Sequence, residues 1–319
     1  MAITRTAMRL TDMGMVMTRK GHSSGAASSH LSPRAGRGRL ASGASAKRSK
    51  SGEGAVPQAR IRGDAPSPGF VRSAALRSES DLSPQAGRGG ANLTAAAALY
   101  RLLAWLSPAY PVGAFSYSGG LEWAVETGDV PDAETLQRWL AVVMGQGSGF
   151  CDAVFLVHAH RAAMAGDETA LPTVAELAAA YASSKERHLE TTAQGRAFLD
   201  VTRAAWPCAA LDRLVAVWGG PIAYPVAVGV AAAGHAIPLE PSVAAYLQAI
   251  AANLVSAGVR LIPLGQTAGQ RVLAALEDIV AATAARALAT RLDDVGSAAF
   301  RADLAGMLHE RQYTRLFRS

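Results

Sequence analysis

Asp132-Ala-Glu-Thr-Leu-Gln-Arg-Trp-Leu-Ala-Val-Val-Met-Gly145 is the stretch whose spacing decides the fold class. Leu136, Trp139, Leu140 and Val143 fall at i, i+3, i+4 and i+7, which is one face of an α-helix, and Pro131 stands just ahead, where a helix start tolerates it. The pattern recurs outward along the chain. In residues 241–258, Val243, Leu247, Ile250 and Leu254 share a face, and Gly258 suits a helix stop. In residues 267–291, Val272, Leu276, Ile279 and Thr283 make another stripe. Residues 150–165, 174–182, 184–205, 208–217, 222–233 and 296–312 bring the total to about nine or ten helices. Strict alternation of apolar and polar residues is nearly absent, so helix on helix is the architecture that this pattern supports. The expected fold is all-α, a single helical-bundle domain over residues 99–319.

Upstream the composition changes. Residues 1–98 hold 15 Lys+Arg against 5 Asp+Glu, whereas residues 99–319 hold 16 against 20. The net charge of +6 therefore comes from the first segment, and it gives no reason to read the helical part as nucleic-acid-binding. Gly, Ser and Pro fill 32 of those 98 positions, and Phe70 is the only aromatic. Such a chain buries too little apolar surface to offset its ordering entropy, so residues 1–98 are expected to form a long disordered basic segment. Two copies of an octapeptide, Leu31-Ser-Pro-Arg-Ala-Gly-Arg-Gly38 and Leu82-Ser-Pro-Gln-Ala-Gly-Arg-Gly89, lie too far apart for a solenoid. One reading of the segment is translated upstream DNA, with a natural start near Leu93. The other is a solvated arm that binds anions loosely.

Cys151 and Cys208 have no metal spacing and read as reduced thiols of a cytoplasmic protein. The most apolar stretch, 221–238, is rich in small residues and bounded by prolines, which favours a buried core helix over a membrane span.

Residues arranged for bond-making chemistry are few. The helical part has no Gly-Lys pair, hence no phosphate loop, and no Gly-x-Ser-x-Gly elbow. Gly145-Gln-Gly-Ser-Gly149 reads as a helix break. His158 and His160 point about 200° apart on a helix and cannot share an ion. His188 sits in a charged turn, and His235 follows Gly234 at a helix end, where the dipole favours a cation. An all-helical enzyme using Ser116 or Ser118 with His188 and Glu122 would need those groups within hydrogen-bond reach. Nucleic-acid binding through the basic arm is the other alternative. The residues favour a binding or scaffolding protein, with no deep pocket in which ionisable groups converge on a bound small molecule.

Three segments are more specific. They are Trp105-Leu-Ser-Pro-Ala-Tyr-Pro-Val-Gly-Ala-Phe-Ser-Tyr-Ser-Gly-Gly-Leu-Glu122, Ala257-Gly-Val-Arg-Leu-Ile-Pro-Leu-Gly-Gln-Thr-Ala-Gly-Gln-Arg271 and His309-Glu-Arg-Gln-Tyr-Thr-Arg-Leu-Phe-Arg-Ser319. In order and spacing they resemble the UreF family of urease accessory proteins. Residues 184–199, with Glu190, Gly195 and Arg196, and Tyr224-Pro-Val-Ala227 are similar to family segments too. The family pattern usually has His where Gly119 stands, and often an acidic residue where Ala268 stands.

The resemblance implies a helical homodimer that binds a UreD-type (UreH) accessory protein and the GTPase UreG, and acts with them on apo-urease. It implies a cytoplasmic, non-enzymatic chaperone that regulates a partner GTPase during GTP-dependent nickel insertion. It needs no cofactor of its own, since nickel and GTP are handled by the partners, and it engages neither nucleic acid nor membrane. The motifs suit binding. Ser107-Pro108 and Tyr110-Pro111 are expected to hold an extended segment. Gly113 and Gly119-Gly120 bracket Phe115, Ser116, Tyr117 and Ser118, with Glu122 just beyond. Gln266 follows a proline break, and Arg311, Tyr313, Arg315, Leu316, Phe317 and Arg318 mix aromatics with arginines as interface hot spots do. Removal of residues 313–319 is expected to leave a folded protein that no longer holds the UreD-type partner.

Overall fold

The structure, a computed structural model, describes residues 94–319. The expectations for the segment before residue 94 lie outside the described residues. The first helix, α1 (Ala95–Trp105), starts just ahead of the expected boundary at 99, because the Thr94 hydroxyl accepts a hydrogen bond from Ala97 N at 3.2 Å and caps it there.

Eleven further α-helices follow among the described residues, with no strand. They are α2 (Leu121–Glu126), α3 (Ala133–Gln146), α4 (Ser148–Ala165), α5 (Ala170–Ala180), α6 (Lys185–Ala205) and α7 (Ala209–Val217). Then come α8 (Tyr224–Gly234), α9 (Leu239–Leu261), α10 (Gln266–Ala275), α11 (Glu277–Ala289) and α12 (Phe300–His309). Single 3-10 turns occupy Ala114–Ser116 and Leu292–Asp294. The all-α expectation holds, and each stretch with helical periodicity is helical. The stripe over 267–291 is two helices that meet at Leu276, whose buried side chain serves both.

Local chemistry sets the helix ends. Asp132 caps α3 in a reciprocal box with Thr135. Gly147, extended between two helices, separates α3 from α4, so the glycine-rich run is a break as expected. Ser184 caps α6 by accepting from Arg187 N at 3.0 Å. Pro225 sits in the first turn of α8, where its missing N–H costs nothing.

Among the described residues the core is built on the pair α4 and α8. Both are buried nearly all round, which explains why α8 has no amphipathic stripe in its Tyr-Pro-Val-Ala-Val-Gly-Val-Ala-Ala-Ala-Gly sequence. The apolar run 221–238 is thus core. Counted across the break, Ala133–Ala165 is long and apolar enough to span a membrane, and so is α9; the first is 72% buried in the protein. The face of α9 bearing Val243, Tyr246, Leu247, Ala251 and Leu254 is buried. Aromatic edges tie α1, α6, α8 and α9 together: Trp105 meets Phe198 (6.0 Å between centroids), Phe198 meets Tyr224 (5.7 Å), and Tyr224 meets Tyr246 (5.4 Å).

Two glycines are demanded by close approach. A Cβ at Gly195 on α6 would overlap the carbonyl of Ile222 and reach Ala223 C at 2.8 Å, so α6 lies directly on the backbone entering α8. Gly120, at φ +81°, starts α2; a Cβ there would lie 2.5 Å from Gly306 N, so only glycine lets α2 rest on α12.

Candidate functional site

The three motif segments, far apart in the sequence, meet at one place. The last ten residues leave α12, double back and run across α2, α6 and α9 as a strap. Glu122 on α2 holds it. One carboxylate oxygen accepts from Leu316 N at 2.6 Å, and the other accepts from Phe317 N at 3.0 Å. That second oxygen also lies 3.1 Å from Nε2 of His309, and the His309 Nδ1 lies 2.6 Å from a Glu186 oxygen. His309 is fully buried between the two carboxylates, and Arg315 donates to the other Glu186 oxygen at 2.5 Å.

Farther along, Arg318 N donates to Ser116 O (2.8 Å) and Ser118 N to Ser319 O (2.8 Å), with the Ser118 hydroxyl donating to the same carbonyl. The Ser319 hydroxyl donates to Glu190 at 2.9 Å. Glu190 pairs with Arg187 (3.0 Å), Arg187 with Asp152 (2.6 Å), and Tyr246 donates to Asp152 at 3.0 Å. Burial works against the Arg187 charge, but Asp152 and Glu190 outweigh it and hold the guanidinium pKa above its ordinary value. Burial, aided by Asp152, pushes the Tyr246 hydroxyl well above its usual range.

The middle segment supplies Arg260. Its guanidinium lies 3.6 Å from the Phe115 ring centroid and 4.3 Å from that of Phe317, and it donates to Phe115 O at 3.0 Å. One cation between two rings joins all three segments at about 0.5–2 kcal/mol per ring.

The strap sorts the expected binding residues into two groups. Tyr117, Ser118, Glu122 and Phe317 are buried and are not free surface; Ser118 and Glu122 hold the strap from inside, and Phe317 is the strap's own inward side chain. Phe115 and Leu316 are about two-thirds exposed and Tyr313 is fully exposed; Arg311, Arg315 and Arg318 are exposed with them, and Ser116 is half-buried. Gln266 is exposed at the first residue of α10. The proline-bracketed segment is not extended as expected. Residues 106–112 form successive turns (Tyr110 N to Ser107 O, 3.0 Å; Val112 N to Tyr110 O, 2.7 Å) that sink Tyr110 into the core, where its hydroxyl meets Thr202 at 2.8 Å.

Sequence reasoning missed His309, Glu186 and Arg260. The signal was there, since His309 and Arg260 stand inside the motif segments, but their partners are remote in the chain. His188 does not face the serines: its Nδ1 lies 2.9 Å from Ala179 O. His158 and His160 diverge, as expected, to Thr290 O and Ile237 O. A cavity of about 450 Å³ lies beside the strap, and Asp152, Arg187 and Glu190 are among the residues that line it. Those groups are committed to one another by the ion pairs above.

Fold and site define an all-α protein that carries its own C-terminal segment as a strap with a locked inner face and an aromatic, cationic outer face. The UreF family profile matches residues 130–277. The urease accessory protein UreF of Rhodopseudomonas palustris strain BisB18 is 63% identical over 224 residues, 70% of this chain and 93% of that one. The UreF protein of Bradyrhizobium diazoefficiens matches equally, and that of Bradyrhizobium sp. strain ORS 278 is 62% identical over 231 residues, 72% of this chain and 95% of that one. The chain belongs to the UreF family.

Proposed function

We propose that this protein is a urease accessory protein that works as a non-enzymatic scaffold. In this reading it forms a homodimer in the cytoplasm and binds a UreD-type (UreH) accessory protein and the GTPase UreG. The assembly acts on apo-urease, inserting nickel at the expense of GTP, and this chain regulates the GTPase. It holds no cofactor of its own; nickel and GTP belong to its partners. It engages neither nucleic acid nor membrane.

One observation carries the reading. The strap spends its buried groups on self-attachment and leaves Tyr313, Leu316, Arg311 and Arg318 outside, with Arg315 exposed beside its Glu186 partner and Phe115 exposed as well. Exposed aromatics and arginines on a rigidly held segment are the composition of an interface hot spot. The likeness to relatives named urease accessory proteins supports the choice of partners. The test is complementation. In a urease-positive strain lacking this gene, the wild-type chain should restore urease activity to nickel-replete cells. A Tyr313→Ala, Leu316→Ala variant should not, although it accumulates to the same level. Full restoration by that variant, or none by the wild type, overturns the proposal.

A further inference from the structure

His235 follows α8 as its C-cap, and its ring lies between the Trp206 carbonyl and Arg101 of α1. Its Nδ1 lies 2.7 Å from a guanidinium nitrogen of Arg101 on α1, and its Nε2 lies 2.9 Å from Trp206 O. These two contacts fix the ring. A guanidinium can only donate, so Nδ1 must be the acceptor; a carbonyl can only accept, so Nε2 must carry the proton. The imidazole is therefore neutral in this arrangement. The Trp105 ring, also on α1, lies tilted against it at 5.3 Å between centroids.

The sequence favoured a cationic His235 at this helix end; in the structure the cation there is Arg101, and His235 is its neutral acceptor. The charged group facing the imidazole is Arg101 from α1. From the connection between α6 and α7 it meets the Trp206 carbonyl, and Cys208 borders Gly234, with its thiol pushed up by burial. The next residue, Ala236, is the only described non-glycine with positive φ (54°), so the corner that presents His235 is held in a strained backbone.

We propose that Arg101 and His235 form an acid-sensitive latch, which seats α1 on the end of α8 while the imidazole is neutral and loosens it once the imidazole takes a second proton. Protonation removes the only acceptor for the Arg101 contact and places two cations against each other. Burial and the Arg101 charge both hold His235 below its ordinary value, so the folded latch resists protonation until the pH is below about 6.5. Apart from the latch, α1 is held by one buried face. Only Ala98, Leu102 and Trp105 of α1 are buried, while Leu99, Tyr100 and Leu103 are more than half exposed. The latch stands apart from the strap and does not depend on the proposed function.

Hydrogen exchange on the full chain tests it. Protection factors divide out the intrinsic pH dependence of exchange. Those of peptides covering residues 96–105 should fall between pH 7.5 and 5.5, by up to about tenfold per pH unit below about 6.5. Peptides from α3, which carries no histidine, measured in the same samples should fall less, by the loss of global stability alone. In His235→Gln, which has no titrating ring, the fall should vanish. Should that variant fail to fold, Arg101→Met gives the second reading: α1 is loosened already at pH 7.5, and the further fall is smaller than in the wild type. A wild-type α1 whose protection is flat over this range overturns the latch, as does a fall that persists undiminished in either variant.

Discussion

Glu122 makes three polar contacts with two oxygens, and none of them is to a neighbour in sequence. A buried carboxylate with that many donors is a fixed anchor, since losing it leaves two backbone N–H groups and the Nε2 of His309 without partners. Glu122→Ala is expected to lower stability by about 3–5 kcal/mol, the range for breaking a buried pair from one side, as read by urea denaturation. A cost below 1 kcal/mol would mean that the strap is not held there. A second residue-scale expectation concerns acid. Burial holds both His160 and His235 below the ordinary histidine value, so each is neutral when folded. The unfolded chain then binds more protons between the depressed folded values and about 6.5. Stability is full above about 6.5 and is lost as the pH falls below it. Thermal melts should show a lower Tm at pH 5.5 than at pH 7.5, and a smaller drop in His235→Gln.

At the scale of elements, helix α6 rests on the chain entering α8 because residue 195 has no side chain. The atoms that a Cβ would strike are backbone, which cannot swing aside. Gly195→Leu should therefore destabilise by at least about 1–3 kcal/mol, seen as a fall in Tm; an unchanged Tm would put the glycine elsewhere. The strap modifies an expectation drawn from sequence. Deleting residues 313–319 removes the buried Phe317 and uncovers Glu122 and Glu190, so the truncated protein should melt lower as well as lose its outer surface. Point substitution at Tyr313, fully exposed, separates the two effects. Much of this level was legible beforehand, because helical spacing is local: Leu136, Leu140 and Val143 do share the buried face of α3. The division of the 267–291 stripe at Leu276 was not, since an apolar residue there suits one long helix as well as two short ones.

For the molecule as a whole, the site was legible as three segments and illegible as a site. The resemblance named Phe115, Glu122 and Phe317. Whether Leu316 or Phe317 faces inward, however, depends on a carboxylate 195 positions away, and no periodicity carries that information. Arg260 and His309 escaped for the same reason, each being defined by partners on other helices. The assembled strap gives the molecule a locked inner face and a presented outer one. The direct measurement is co-purification of the UreD-type partner with wild type and with Tyr313→Ala, after matching Tm values confirm equal folding. The expected result is a loss of affinity of about tenfold or more, as for an aromatic hot spot worth over 1 kcal/mol. Undiminished binding by a folded Tyr313→Ala protein would contradict the reading of the strap as a docking surface.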